Sequence, residues 1–251
     1  MSESITKTGD WLRRYHPADA APTRLVCFPH AGGSATYYFP VAQALSPAVD
    51  VLAVQYPGRQ DRRTEAPIDD LFKLADILAD ELQPWTDRPL ALFGHSLGAT
   101  LAYEVALRLE AGGVDPVTLF ASGRRAPSRH RENSTVYLSD DETLLDTIKA
   151  LSGTSPELLE DDELLRSLLP AIRADYKAAE TYRKLPGTPQ LRCPVITLTG
   201  DVDPEVTRAE AEAWEGHTAG DFTLVEYAGG HFYLNEHAPS VIARIREVLV
   251  R

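Results

Sequence analysis

Short apolar runs alternate with longer stretches at helical spacing along most of the chain. The short runs are predicted to be strands at Arg24 to Phe28, Asp50 to Gln55, Pro89 to Phe93, Val117 to Ser122, Val195 to Thr199 and Phe222 to Tyr227. Nearly continuous apolar runs such as Leu90 to Phe93 are typical of strands buried on both faces. The alternation of strands and helices predicts an α/β fold with a mainly parallel central sheet flanked by helices.

Three of the intervening stretches place apolar residues on one face of a helix. These faces run from Ile68 to Leu82, from Leu97 to Leu109 and from Val241 to Val248. Glycine tolerates the left-handed backbone of a helix C-cap, so we expect the second helix to end at Gly112 and Gly113. The third should pack on the sheet near the end of the chain.

The connection between Ser122 and Val195 is about 70 residues long, whereas strand and helix connections usually take 2 to 6 residues. It begins with arginines and continues with a strongly acidic stretch from Ser139 to Glu163. Leucines at helical spacing precede Pro170, and the same spacing continues after it. We therefore expect a small helical subdomain with a break or kink near Pro170.

Composition limits the possible partners of the chain. It has 251 residues, enough for one large domain or two small ones, and 25 Lys and Arg against 37 Asp and Glu, a net charge of −12. Nucleic acid is not expected to bind, because phosphate neutralisation needs clustered positive charge. No uninterrupted apolar stretch approaches 18 residues, so neither export nor membrane insertion is expected. Cys27 and Cys193 are interpreted as reduced core residues of a cytoplasmic protein.

A nucleophile is predicted where the third strand meets the following helix. Gly94, His95, Ser96, Leu97 and Gly98 form a G-x-S-x-G motif directly after the apolar strand. The glycines allow a sharp turn that projects the serine hydroxyl above the sheet, near backbone N–H groups of a helix N-terminus. Ser96 could instead be an ordinary helix N-cap, but its context favours a nucleophile.

A serine nucleophile needs a histidine base and an orienting carboxylate, which in this kind of fold follow in the order Ser, Asp, His. His231 lies in a glycine-rich turn after the last strand, and Asp201 and Asp203 follow the strand before it. We favour Asp203, which lies further from the strand end, and expect Asp201 to be a turn residue.

The oxyanion intermediate needs two backbone donors. The predicted donors are the N–H groups of Leu97, directly after the nucleophile, and of Ala31, in the loop Phe28-Pro29-His30-Ala31-Gly32-Gly33. That loop could also be a simple turn. His30 is interpreted as a support behind the catalytic residues, although an ordinary loop histidine is an alternative.

Taken together, these motifs resemble the α/β-hydrolases, and within them the type II thioesterases of polyketide and non-ribosomal peptide biosynthesis. The resemblance covers nearly the whole chain and is carried by FPHAGG at 28–33, YPGR at 56–59, GHSLG at 94–98, SGRRAP at 122–127, RADY at 173–176, GDVDP at 200–204 and GGHFYL at 229–234. It implies an α/β-hydrolase core at residues 1–127 and 186–251 with an inserted helical lid at 128–185.

The resemblance also implies an activity. Such enzymes are cytoplasmic and clear unproductive short acyl groups from acyl carrier or peptidyl carrier proteins. The phosphopantetheine arm belongs to the substrate, so no cofactor or metal is expected. The lid would cover an acyl chamber whose size depends on Leu168, Ile172 and Tyr176. We expect a monomer with no membrane partner.

Carrier proteins of this kind are typically acidic, as this chain is, so a local basic patch would be needed for docking. Arg124, Arg125, Arg129 and Arg131 are candidates for it, with Arg59, Arg62 and Arg63 as further members of the patch. All of them could equally be solvated or paired with the acidic insertion. Three other activities use the same three residues: a carboxylester hydrolase, an acyltransferase and a chain-releasing thioesterase. A catalytically silent binding scaffold is disfavoured, because no member of the triad is missing.

Overall fold

The computed structural model describes residues 6–131, 135–151 and 162–250. Within these ranges one sheet contains eight strands in the order β1-β2-β4-β3-β5-β6-β7-β8. The strands are β1 (Thr6–Thr8), β2 (Leu12–Arg14), β3 (Thr23–Phe28), β4 (Val49–Val54), β5 (Leu90–His95), β6 (Leu119–Ser122), β7 (Val195–Gly200) and β8 (Phe222–Tyr227).

All six predicted strands are confirmed to within two residues at each end, and the strands from β4 across to β8 are parallel. The hairpin of β1 and β2 was not predicted. It adds to the sheet antiparallel, with Leu12 opposite Val54. Its strands are only three residues long, so they carry little periodicity of their own.

Helices cover both faces of the sheet. They are α1 (Phe39–Leu45), α2 (Leu71–Leu82), α3 (Leu97–Ala111), α4 (Asp141–Ala150), α5 (Asp162–Thr181), α6 (Arg208–Glu212), α7 (Tyr233–Glu236) and α8 (Ala238–Leu249). Short 3₁₀ turns lie at Ala35–Tyr38, Gln60–Arg62, Gln83–Trp85, Val136–Leu138 and Ala213–His217. None of the helices in the described ranges has the length and apolarity needed to cross a bilayer.

Successive residues of a strand point to opposite faces, and β3 shows how this builds two cores. Val26 and Phe28 pack on the face covered by α2 and α3. Leu25 and Cys27 pack on the face covered by α1 and α8. Cys27 and Cys193 are free and buried, as predicted.

The helix ends follow from local sequence. Asp70 caps α2 by accepting hydrogen bonds from the N–H groups of Phe72 and Lys73. Helix α3 ends at Ala111 with Gly112 as its C-cap, and Gly113 has a φ of +85°, so the predicted glycine stop is confirmed. Helix α8 packs on the sheet through Val241 and its neighbours, also as predicted.

The insertion after β6 is helical. Of the break or kink predicted near Pro170, the break is wrong, because α5 continues through this residue. An interior proline removes one backbone hydrogen bond and crowds the preceding turn. Here Leu165 and Leu169 before the proline and Ile172 after it enter one apolar cluster with α4, so the helix is anchored on both sides of the proline. The acidic residues at positions 157, 160 and 161 lie outside the described residues.

The insertion is also attached to the main core. Ala178 and Tyr182, near the end of the segment expected to form a lid, pack in the same cluster as α2 and α3. The Tyr182 hydroxyl donates to Glu104 Oε1 of α3 at 2.7 Å. Among the described residues of the insertion, α4 and the part of α5 up to Ile172 form a separate apolar cluster.

Candidate active site

Ser96 occupies a sharp turn between the end of β5 and the start of α3. Its φ of 54° and ψ of −119° lie in a region that residues with a side chain rarely adopt. Its N–H donates to the carbonyl oxygen of Ser122 at 2.8 Å, and its own carbonyl accepts from the N–H of Ala99 at 3.0 Å. Strain of this kind persists only where the surroundings impose it, and it is common at functional sites.

The histidine predicted as base meets the carboxylate that the sequence favoured. His231 Nδ1 lies 2.9 Å from Oδ2 of Asp203 and 3.1 Å from Oδ1, with both side chains almost fully buried. Asp203 also accepts from the N–H of Glu205 at 2.8 Å. The exposed Asp201 instead accepts from the N–H of Gly229 at 2.8 Å, which ties the β7 loop to the histidine loop.

Ser96 and His231 both lie at the carboxyl edge of the parallel strands, but no hydrogen bond between these two described residues is present. The His231 ring packs 5.0 Å from the ring of His95, the residue before the serine. Hydrogen bonds between nucleophile and base are often long before substrate binds, so this arrangement is compatible with a triad.

Two backbone donors are available for an oxyanion. Leu97 is the first residue of α3, so its N–H has no acceptor within the helix. None of the described residues accepts a hydrogen bond from the N–H of Ala31 or, outside α3, from that of Leu97. A donor pair of this kind fits the requirements of an oxyanion hole.

Two further histidines lie near His231, and both are held neutral: His95 packs on His231, and His30 packs on His95 and Phe232. Burial, followed by the charges of His231 and Arg59, lowers the pKa of His30 to about 3. Burial also lowers the pKa of His95 well below its ordinary value. The His30 ring packs edge-on against the Phe232 ring, with the centroids 4.9 Å apart.

An apolar cavity of about 330 Å³ opens beside the loop that contains Ala31. The three insertion residues expected to shape an acyl chamber, Leu168, Ile172 and Tyr176, all line it, together with His30 and Ala31. A second cavity of about 270 Å³ reaches His231 and shares Phe232 and Leu151 with the first.

Phe232 is a site residue that the sequence reasoning did not single out. Its signal was present as the aromatic residue directly after His231 in GGHF. Within the described ranges, no group of three or more His, Cys, Asp and Glu side chains is arranged to hold a metal ion.

The arginines after β6 divide into engaged and exposed side chains. Arg124 donates to Thr100 and to the carbonyl of Ala179, and burial lowers its pKa to about 10. Arg125 is buried, and Arg131 donates to the carbonyl of Pro204 at 3.3 Å and forms an ion pair with Glu210 at 3.4 Å. Arg129 is exposed, and no described residue pairs with its side chain.

Comparison with known proteins points to one family. The family model described as a thioesterase domain matches residues 23–249. The chain is 49% identical over 239 residues to the probable cadicidin biosynthesis thioesterase of Streptomyces griseus, covering 95% of this chain and 66% of that protein. It is 51% identical over 231 residues to thioesterase PikA5 of Streptomyces venezuelae, covering 91% and 82%.

A solved structure resembles this chain at a comparable level of sequence identity. The type II thioesterase BorB from the borrelidin biosynthetic cluster superimposes with a TM-score of 0.92 at 54% identity, covering 97% of this chain and 99% of that one. At this level the likeness extends to sequence as well as fold.

Proposed function

Because the chain belongs to the thioesterase family of α/β-hydrolases, we propose that it hydrolyses short acyl thioesters on phosphopantetheinyl carrier proteins of a polyketide synthase or non-ribosomal peptide synthetase. In this editing role it removes acyl groups that the assembly line cannot extend. The observation that carries the proposal is the buried hydrogen bond between Asp203 and His231, which lies at the same carboxyl edge of the sheet as the strained turn of Ser96.

In the first half of the proposed reaction, the Ser96 hydroxyl attacks the acyl carbonyl and its proton passes to His231 Nε2. Asp203 accepts from Nδ1–H, which fixes the tautomer and stabilises the imidazolium that forms. The N–H groups of Leu97 and Ala31 bind the oxyanion, and loss of one such donor typically costs about 3 kcal/mol of transition-state stabilisation.

Collapse of the intermediate breaks the C–S bond and releases the phosphopantetheine thiol. A thiol with a pKa of about 8.5 leaves readily as the thiolate, which then takes up the proton that His231 received from Ser96 and returns His231 to its neutral form. Water then attacks the acyl-enzyme while neutral His231 accepts its proton. The ester C–O bond then breaks, His231 returns the proton to Ser96 Oγ, and the products are the free acid and regenerated Ser96.

The acyl chain would occupy the cavity of about 330 Å³ beside Ala31. Apolar side chains from α5, including Leu168 and Ile172, form one wall of this chamber. We propose that the chain needs no resident cofactor, since each step uses only side chains, backbone N–H groups and water.

The proposed partners are acyl carrier or peptidyl carrier domains, and the proposed location is the cytoplasm, where thiols such as the buried Cys27 and Cys193 stay reduced. Of the four candidate arginines after β6, Arg129 is the best placed for docking, since it alone among those four is exposed and unpaired within the described residues. Arg59 and Arg62 are buried and are not part of a docking surface.

The proposal is tested by offering one acyl group in three forms: on a carrier protein, as acyl-pantetheine and as a simple oxygen ester. The expected result is a higher kcat/KM for the carrier-bound thioester, abolished in Ser96→Ala. A preference for the oxygen ester would favour the carboxylester hydrolase instead. Activity that survives in Ser96→Ala would exclude this nucleophile.

A further inference from the structure

The motifs YPGR and RADY lie more than 100 residues apart, and the proposed mechanism uses neither. In the structure they meet through a buried ion pair between Arg59 and Asp175. Arg59 Nη1 lies 2.8 Å from Asp175 Oδ2 and Nη2 lies 2.9 Å from Oδ1, so the contact is bidentate. The two residues are 3% and 2% exposed. Asp175 lies on α5, and Arg59 lies in the loop after β4.

The same atoms hold the loop that carries the oxyanion donor. Asp175 Oδ2 accepts a hydrogen bond from the N–H of Gly32 at 2.8 Å. Arg59 Nη1 donates to the carbonyl oxygen of Gly33 at 3.1 Å. Both contacts fall within two residues of Ala31, whose N–H is the proposed donor from this loop.

The YPGR motif also holds the start of that loop. The Tyr56 hydroxyl donates to the carbonyl oxygen of Pro29 at 3.1 Å. The Arg59 guanidinium lies over the Tyr56 ring, 5.1 Å from its centroid, which restrains its orientation. Ala31 therefore lies between two anchored ends.

Helix α5 rests directly on this loop. Gly32 has a φ of +76°, and a Cβ there would lie 3.1 Å from Cγ1 of Ile172. Ile172 also lines the acyl chamber, so the helix that forms the chamber wall is the one that supplies Asp175. The position of α5 and the orientation of the loop are thereby coupled.

We infer that Arg59 and Asp175 are positioning residues that couple the seating of α5 to the placement of the Ala31 N–H in the oxyanion hole. The inference rests on the proposed function. A donor displaced by about 1 Å can cost on the order of 100-fold in rate, so the pair should matter to the chemical step more than to substrate binding. A buried ion pair, by contrast, often adds little to stability when compared with apolar residues in its place.

Because the ion pair should matter more to the chemical step than to stability, the informative variant is Arg59→Met/Asp175→Ala. It leaves no uncompensated buried charge, so it should stay folded, whereas Asp175→Ala alone leaves Arg59 buried and unpaired. It also removes the hydrogen bonds that Asp175 and Arg59 make to Gly32 and Gly33. We expect kcat for acyl-pantetheine to fall about 10- to 100-fold, with KM changed less than about 3-fold.

Two inhibitors distinguish a displaced oxyanion donor from a damaged acyl chamber. A trifluoromethyl ketone analogue of acyl-pantetheine adds Ser96 Oγ to its carbonyl carbon, passes the serine proton to His231 and places the resulting oxyanion in the hole. The corresponding S-alkyl pantetheine thioether binds without an oxyanion. In the double variant the inhibition constant of the ketone should rise about 10- to 100-fold and that of the thioether less than about 3-fold.

A matched control is available on the same helix. Lys177 and Asp69 also join α5 to the core through an ion pair at 2.6 Å, but it is exposed and does not touch the Pro29 to Gly33 loop. The variant Lys177→Met/Asp69→Asn should keep kcat within about 2-fold of the wild-type value.

A kcat for Arg59→Met/Asp175→Ala within 2-fold of wild type would overturn the inference while leaving the proposed function intact. Equal weakening of both inhibitors would also overturn it, since the chamber rather than the oxyanion hole would then be affected. A wild-type enzyme inactive on thioesters, or an active Ser96→Ala variant, would instead reject the proposed function.

Discussion

A Cβ atom on Gly94 would lie 2.1 Å from the carbonyl oxygen of Gly98, so the two glycines that flank Ser96 are in direct backbone contact. A Cβ on Gly98 would in turn lie 2.1 Å from the carbonyl oxygen of Phe28 in β3. The strained turn at Ser96 is therefore enclosed by backbone on both sides. Relief of these contacts would require movement of a strand or of α3.

We predict that Gly94→Ala severely destabilises the fold, because the added methyl meets backbone rather than a flexible side chain. The free energy of unfolding should fall by about 3 kcal/mol or more, measured by urea denaturation. Gly216→Ala is the matched control, since nothing lies within 4 Å of the Cβ it would add. It should change stability by less than about 1 kcal/mol. Equal stability of the two variants would contradict this account of the turn.

Replacement by asparagine should lower kcat far more at Asp203 than at Asp201. Asp203→Asn should lower kcat by about 10⁴-fold, because an amide can no longer hold Nδ1–H of His231 in the required tautomer. Asp201→Asn should lower kcat less than about 5-fold, since it keeps an oxygen for the Gly229 N–H. Steady-state hydrolysis of acyl-pantetheine measures both. A larger loss in Asp201→Asn would reverse the assignment of the two carboxylates.

The elements that sequence patterns predicted are those governed by local rules. The strand β5 and the serine turn follow from an apolar run ending in Gly94, and the α3 stop follows from Gly113. Contacts between distant segments leave no such pattern. Neither YPGR nor RADY shows on its own that Arg59 would meet Asp175.

The exposure of each arginine in a basic stretch cannot be predicted from the sequence either, because the same residue type can be buried or exposed. Arg125 and Arg129 belong to one short basic stretch, yet the first is buried and the second exposed. Which of them faces solvent depends on how the Asp203 loop and α5 pack over the stretch. The continuity of α5 at Pro170 likewise depends on tertiary packing by Leu165, Leu169 and Ile172.

Stability should fall as the pH drops from about 6.5 towards 3, in part because of His30. Its pKa is lowered to about 3 in the folded protein, mainly by burial, from an ordinary value of 6.5. Below pH 6.5 the unfolded chain therefore takes up a proton that the folded protein does not. Between pH 7 and pH 5, the free energy of unfolding of His30→Leu should fall by about 2 kcal/mol less than that of the wild type.

Urea denaturation at pH 8, 7, 6 and 5 measures this difference. Above pH 7.5 the histidine is neutral in both states, so the two proteins should then show the same dependence on pH. The same loss of stability in both proteins between pH 7 and 5 would show that His30 does not contribute.

Charge reversal at Arg129 should weaken docking of an acidic carrier without altering the chemistry. For Arg129→Glu we expect kcat/KM to fall about 3- to 10-fold on the carrier-bound substrate and to stay unchanged on acyl-pantetheine. The effect should shrink at 0.5 M salt, because screening shortens the range of the field. Lys73→Glu, an exposed cation on α2, is the control. Unchanged carrier kinetics would remove Arg129 from the interface.

The chamber wall formed by α5 should set the acyl length that the enzyme accepts. Leu168 lines the cavity of about 330 Å³, so Leu168→Trp would fill part of the space that the acyl chain needs. We expect kcat/KM for octanoyl-pantetheine to fall by at least about 10-fold and that for acetyl-pantetheine by less than about 3-fold. The same substitution at Leu185, which is 57% exposed, should affect neither substrate. A parallel fall for both acyl groups in Leu168→Trp would mean that the acyl chain lies elsewhere, because only a substrate that reaches this wall can sense its volume.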